Sequence, residues 1–137
     1  MNSTTITITS TPPGPSMVRG DSAAAIRQAR QAVRAFTDRL SPAPDPDRAD
    51  SLVLVVSELV TNALRHGGGQ YTLELSGGTG TVTAAVSDSN PAYPRERTPD
   101  LNGAGGGFGW HMIRDLTNQL TITPSPGGKT IHAQLPL

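Results

Sequence analysis

Apolar residues are densest at Leu52-Val53-Leu54-Val55-Val56, and they continue through Leu59, Val60, Ala63 and Leu64. The valines alone would suit a strand. Asp45 before Pro46, however, makes a helix start, and Gly67-Gly68-Gly69 makes a stop, so the length between them predicts a largely buried helix over residues 45–66. Upstream, Ile26, Ala29, Val33 and Phe36 share one face of a helix that Asp21 or Ser22 can cap and that runs to about Leu40. Threonine alternates with isoleucine over residues 4–9, which predicts a short strand at a sheet edge, and Thr11-Pro12-Pro13-Gly14-Pro15 then breaks regular structure.

Residues 71–75 and 81–87 alternate as two strands joined by the turn Gly77-Gly78-Thr79-Gly80. From Asp88 to Gly107 periodicity is lost among prolines, charges and glycines; a stretch of that length is a lid, a binding loop or disordered. A helix resumes near Phe108 and runs to Leu116, and residues 120–123 and 130–135 form a closing hairpin. The order β-α-α-β-β-loop-α-β-β predicts an α+β fold. It is a two-layer sandwich with a mixed, mainly antiparallel sheet and helices on one face. At 137 residues it is expected to be one domain over residues 21–137, with a lid at about 88–107, preceded by an N-terminal strand and proline-rich segment over residues 1–20.

Composition narrows the function classes. Eleven basic and eleven acidic residues give no net charge, so no nucleic acid or anionic membrane is expected as a partner. The absence of cysteine excludes disulfides, thiolate catalysis and cysteine-ligated zinc, and His66, His111 and His132 lack zinc-helix spacing. There is no apolar run of membrane-spanning length and no secretory signal at Met1-Asn2-Ser3-Thr4, so a cytoplasmic protein is expected.

Into the apolar helix the chain inserts Glu58, Asn62, Arg65 and His66, at offsets 0, +4, +7 and +8 that return to one face. Burying a carboxylate there is costly unless a cation or hydrogen-bond donors compensate it. The Asn62 carboxamide suits Mg²⁺, which takes its other oxygens from water and phosphate. Glu58 can accept a proton from an attacking hydroxyl or hold a metal-bound water, and Arg65 and His66 can meet phosphate oxygens. Taken singly, each is also an ordinary helix residue; the combination on one buried helix favours a site. Asp88, closing a strand, can accept from an exocyclic amine such as that of adenine, or can simply initiate the turn Asp-Ser-Asn-Pro. Gly103-Ala104-Gly105-Gly106-Gly107-Phe108-Gly109 precedes a helix and either lets backbone N–H groups approach phosphates or acts as a flexible linker. Gly127-Gly128-Lys129-Thr130 ends like a Walker A loop, but Thr123 stands where its first glycine is required, and neither a G-x-G-x-x-G pattern nor the protein-kinase signatures occur.

In that order, these segments resemble the Bergerat-fold ATPases: gyrases, Hsp90-type chaperones, sensor histidine kinases and mismatch-repair proteins. The likeness is greatest to the small anti-sigma-factor serine/threonine kinases, and it spans residues 22–135. Residues 58–67 resemble the N box, 86–90 the box with the adenine-reading aspartate, 107–113 the second glycine box, and 127–130 the closing box. The resemblance implies an ATP- and Mg²⁺-dependent kinase that holds a sigma factor and phosphorylates a serine or threonine of an anti-anti-sigma (STAS-type) antagonist; a non-catalytic ATP-dependent interaction module is the alternative, and a homodimer is compatible with either. It makes Glu58 the general base, Asn62 the Mg²⁺ ligand and Asp88 the partner of adenine N6. Thr130 would reach adenine or Asp88 directly or through water. Arg65, His66, Asn90, Gly105, Gly106, Gly107, Phe108, Gly109 and Trp110 complete the implied ATP site. Asn90 replaces a frequent glycine, and its tolerance of positive φ is expected to preserve the turn. Trp110 replaces a usual leucine and either walls the pocket or fills core.

Overall fold

The computed structural model describes residues 5–10, 18–66, 71–78, 80–92 and 107–137. Its elements are β1 (Thr5–Ser10), α1 (Val18–Asp38), α2 (Pro46–His66), β2 (Tyr71–Gly78), β3 (Thr81–Asp88), α3 (Gly107–Leu116), β4 (Gln119–Ser125) and β5 (Gly128–Pro136). They form one five-stranded sheet in the order β1-β2-β3-β5-β4. All four described pairings are antiparallel, in keeping with the mainly antiparallel sheet of the expected α+β fold. The strand at the N-terminus lies at a sheet edge as predicted, and by pairing with β2 it belongs to the same sheet as the rest.

Helix α2 begins where its sequence signals put it. The Asp45 carboxylate accepts from the Asp47 N–H at 2.8 Å and the Asp45 carbonyl from the Ala49 N–H at 2.9 Å, with Pro46 needing no donor of its own. Its stripe of Leu52, Val55, Val56, Leu59, Val60 and Ala63 is buried against the sheet and the other helices. Three hydroxyls on α2 turn back onto its own carbonyls: Ser51 to Asp47 at 3.1 Å, Ser57 to Val53 at 2.7 Å and Thr61 to Ser57 at 2.7 Å. That satisfies polar atoms a buried helix would otherwise strand. Ser57 also accepts from Arg30 Nε at 2.8 Å, tying α2 to α1.

Helix α1 starts at Val18, earlier than the caps at Asp21 or Ser22 suggested, and buries Ala29, Val33 and Phe36 completely. Both central strands present an apolar face to the helices, Val82, Ala84 and Val86 from β3 and Ile131, Ala133 and Leu135 from β5. The alternate positions, including Ser87, Thr130 and His132, form the opposite, half-buried face of the sheet. Strand β2 runs on through Gly77 and Gly78, which had been expected to be turn residues. Among the described residues no helix is long and apolar enough to cross a membrane.

The two long helices run in opposite senses across the sheet. The start of α2 lies near the C-terminus, where Arg48 donates to the Leu137 carbonyl at 3.4 Å. Its other end reaches the place where β3 stops, because Asn90 Nδ2 donates to the His66 carbonyl oxygen. The candidate site residues of α2 are therefore delivered to the end of the sheet that carries Asp88.

Candidate functional site

Glu58 and Asn62 lie one turn apart on the flank of α2, both half-buried, next to the apolar stripe that fixes the helix on the sheet. Arg65 and His66 in the last turn are exposed. The side chains of Glu58 and Asn62 make no hydrogen bond or ion pair with another described residue. A half-buried carboxylate and carboxamide without a side-chain partner among the described residues can serve a ligand. Among the described residues no group of three or more His, Cys, Asp or Glu side chains forms a metal cage.

At the end of β3 the Asp88 side chain points to the helix side, following Val82, Ala84 and Val86 in alternation. Its Oδ1 accepts the Asn90 backbone N–H at 2.9 Å, closing an Asx turn. The Asn90 side-chain oxygen accepts the Ala92 N–H at 3.0 Å, and its amide nitrogen makes the bond to α2 already described. Asn90 thus fastens the turn to the helix by hydrogen bonds. The positive φ expected of it does not occur: no described non-glycine residue has one. What replaces the family's glycine here is a hydrogen-bonding side chain rather than a left-handed backbone.

None of the sequence motifs singles out Lys129. Its ammonium lies 2.9 Å from Asp88 Oδ2 and 3.0 Å from Oδ1, and donates to the Asn90 carbonyl at 2.8 Å. The pair is nearly out of water, with the side chains of Lys129 and Asp88 exposed by only 6% and 5%. Thr130, expected to reach adenine or Asp88 directly or through water, is on the other face of the sheet from Asp88, where its hydroxyl is 2.7 Å from that of Ser87. The reason is register. Asp88 pairs with Lys129 and Ser87 with Thr130, so alternation sends Lys129 inward with Asp88 and Thr130 outward with Ser87. Lys129 precedes Ile131, Ala133 and Leu135 at two-residue steps, and a lysine in phase with an apolar face was the signal available in the sequence.

Gly128 explains how close the two strands come. A Cβ there would lie 2.1 Å from the Asp88 carbonyl oxygen, a backbone atom that cannot swing aside. Trp110, left open between pocket wall and core, is buried in the core cluster with Ile113 of the same helix. Gly107, Phe108 and Gly109 form the first turn of α3. Gly105 and Gly106, the helix stop at Gly67-Gly68-Gly69 and lid residues 93–106 lie outside the described residues.

The sequence model of the histidine kinase-like ATPase domain matches residues 21–135. The chain belongs to that family. None of the curated proteins matches it. Among solved structures it is similar to the RsbU and RsbW domains of Rv1364c from Mycobacterium tuberculosis, at 20% identity and a TM-score of 0.62 over 96% of this chain and 32% of that one. It is also similar to the histidine kinase domain of the blue-light activated histidine kinase EL346 from Erythrobacter litoralis, at 20% identity and a TM-score of 0.54, covering 85% of this chain and 61% of that one. This chain therefore spans about a third of the first structure and three fifths of the second. At such identities the likeness establishes the fold. Membership of an ATPase domain family makes ATP the nucleotide to test.

Proposed function

We propose that this domain is an ATP-dependent protein serine/threonine kinase of the anti-sigma type, which holds a sigma factor and phosphorylates a STAS-type antagonist. The observation that carries it is the pair Glu58 and Asn62, one helical turn apart, half-buried and unengaged by any described residue. The Asn90 side chain ties the end of their helix to the Asp88 turn, as a site reading base and phosphates together requires. That one of the similar structures contains an RsbW domain beside an RsbU domain supports a partner-switching role.

In this reading Asp88 receives the exocyclic amine of adenine and Asn62 holds Mg²⁺, which supplies charge neutralisation for the phosphates. Arg65 and His66, exposed in the last turn of α2, face the phosphate oxygens. Gly107 to Gly109 offer backbone N–H groups at the start of α3, ahead of the buried Trp110. Glu58 accepts the proton of the partner's serine or threonine hydroxyl as its oxygen bonds to the γ-phosphorus; the bond from that phosphorus to the β–γ bridging oxygen breaks, and ADP leaves. The second reading is a module that binds ATP and a partner without transfer.

Single-turnover transfer to a cognate antagonist, measured beside equilibrium ATP binding, separates the two. Glu58→Gln keeps size and hydrogen-bonding reach, so ATP affinity should change by less than about threefold while transfer falls at least about a hundredfold. ATP binding by the wild type without transfer to any cognate antagonist would leave the interaction module. Normal transfer by Glu58→Gln would remove Glu58 as the base.

A further inference from the structure

We propose that Lys129 is a specificity-determining residue of the nucleotide site: with Asp88 it forms a donor–acceptor pair that reads two adjacent atoms of the adenine edge, the 6-amine and ring nitrogen N1. This rests on the reading of the site as an ATP site. It adds a direct protein contact to N1, carried by a side chain that none of the motifs assigns.

Counting lone pairs and protons leads to this assignment. A carboxylate offers about four acceptor positions. In Asp88 the Asn90 N–H and the Lys129 ammonium occupy both positions on Oδ1, and Lys129 occupies one on Oδ2. Counted over its described contacts, one acceptor position is left on Oδ2, enough for a single N–H of an amine. The ammonium has three protons. One goes to the Asn90 carbonyl at 2.8 Å, and one is shared between Oδ1 at 3.0 Å and Oδ2 at 2.9 Å, which subtend too small an angle at Nζ to take separate protons. The third is committed to neither and can turn to a ligand. A free acceptor on Oδ2 therefore lies beside a transferable donor on Nζ, 2.9 Å away. Adenine presents the complementary order, a donating 6-amine next to the bare acceptor N1. Hypoxanthine and guanine present a carbonyl at position 6 and an N–H at position 1, wrong at both places in the same pose.

Burial sharpens the contact. Hydrogen bonds from charged groups in a nearly water-free place are stronger than those in water, and leaving such a group unmatched is costly. The pair also cannot drift. The strand register sets Lys129 opposite Asp88, and the absence of a Cβ at Gly128 brings the strands together.

The test compares ATP with 1-deaza-ATP, which keeps the 6-amine and loses the N1 acceptor, and with ITP, by equilibrium dialysis in the presence of Mg²⁺. Wild type is expected to bind 1-deaza-ATP at least about tenfold, and ITP at least about a hundredfold, more weakly than ATP. In Lys129→Met the gap between ATP and 1-deaza-ATP should shrink to less than about twofold; in Lys129→Gln, which keeps an N–H donor, part of it should return. Because Lys129→Met leaves a buried carboxylate unpaired, the charge-neutral Asp88→Asn/Lys129→Met chain is measured too, and its gap should be equally small. Equal binding of ATP and 1-deaza-ATP by wild type, or an undiminished gap without Lys129, overturns the assignment and leaves the ATP site standing. No binding of ATP by wild type overturns both.

Discussion

Gly77, opposite the start of β3, lies beneath the ring of Phe36 and the tip of Leu40, whereas at the other end of the same strand the Asp88 carboxylate meets the Lys129 ammonium beneath the Asn90 turn. Both ends bring the strands of one sheet against the same helix layer. The first is closed by apolar side chains that can each shift by a few tenths of an ångström. The second is closed by a few polar groups whose positions are set by register and backbone. The lesson is a division of labour along one strand: stability is concentrated where contacts are apolar and forgiving, and the proposed recognition lies where they are polar and fixed.

Emptying the apolar end should produce the largest stability loss. Phe36 is completely buried, and Phe36→Ala is expected to cost about 3–5 kcal/mol through lost transfer energy and the remaining cavity. Urea unfolding measures it. If the variant still folds, its ratio of ATP to 1-deaza-ATP affinity should match wild type, because nothing at the polar end has moved. A changed ratio would break the proposed independence of the two ends.

Adding a methyl group to each end sharpens the comparison. At Gly77 a new Cβ would meet Phe36 at 3.1 Å and Leu40 at 3.2 Å, both flexible side-chain tips. At Gly128 it would meet the Asp88 carbonyl oxygen at 2.1 Å. Gly128→Ala is therefore expected to cost about 3 kcal/mol and to lower ATP affinity, since β3 can yield only by moving Asp88. Gly77→Ala should cost about 1.5 kcal/mol or less and leave affinity unchanged. Thermal unfolding with and without ATP distinguishes them, and equal costs would show that the close approach at Gly128 does not constrain Asp88.

Next in size is a change that touches neither packing nor the ion pair. Asn62→Ala removes the proposed metal ligand from the half-buried flank of α2. About 1–3 kcal/mol of ATP affinity should go with it, roughly ten- to a hundredfold. Calorimetry at fixed Mg²⁺ measures the loss, and EDTA should weaken wild type more than the variant. An equal response to EDTA in both would remove Asn62 from the metal site.

The apolar end was the more legible of the two in the sequence, and the reason is physical. Ile26, Ala29, Val33 and Phe36, or Leu52 through Leu64, repeat a period that burial imposes, so the helices could be placed within a few residues. The site was legible only as far as it too followed a period. Glu58 and Asn62 were on one face because four residues make a turn. Asp88 was visible as a strand-ending carboxylate. Lys129 is hidden because segment 127–130 resembles the closing box, whose implied contact is Thr130, although two-residue steps from Ile131 put a lysine on the inner face. Asn90 was expected to imitate glycine by its backbone, yet it acts through its side chain, a tertiary contact with His66 that no local pattern encodes.

Alkaline titration should produce the smallest effect and tests the polar end from a different strand. Tyr71 opens β2, is buried, and donates its hydroxyl to the Ala25 carbonyl at 3.3 Å, and burial pushes its phenol above the ordinary value of 10.0. The sign follows from which state loses the proton first. Above about pH 10 the unfolded chain releases the phenolic proton while the folded chain keeps it, so the unfolded state binds fewer protons and stability falls as pH rises. The fall should continue until pH passes the folded value and then level off, with a slope from this one group of at most about 1.4 kcal/mol per pH unit. Below pH 10 Tyr71 contributes no slope. Tyr71→Phe removes the titrating group and should flatten the profile above pH 10, while losing about 0.5–1.5 kcal/mol at neutral pH with the hydrogen bond to α1. Urea unfolding of both chains between pH 8 and 11 checks it. An identical alkaline slope in Tyr71→Phe would mean that the phenol is no more buried when folded than when unfolded. The Asp88 end of the sheet would then be more open to water near α1 than its packing indicates.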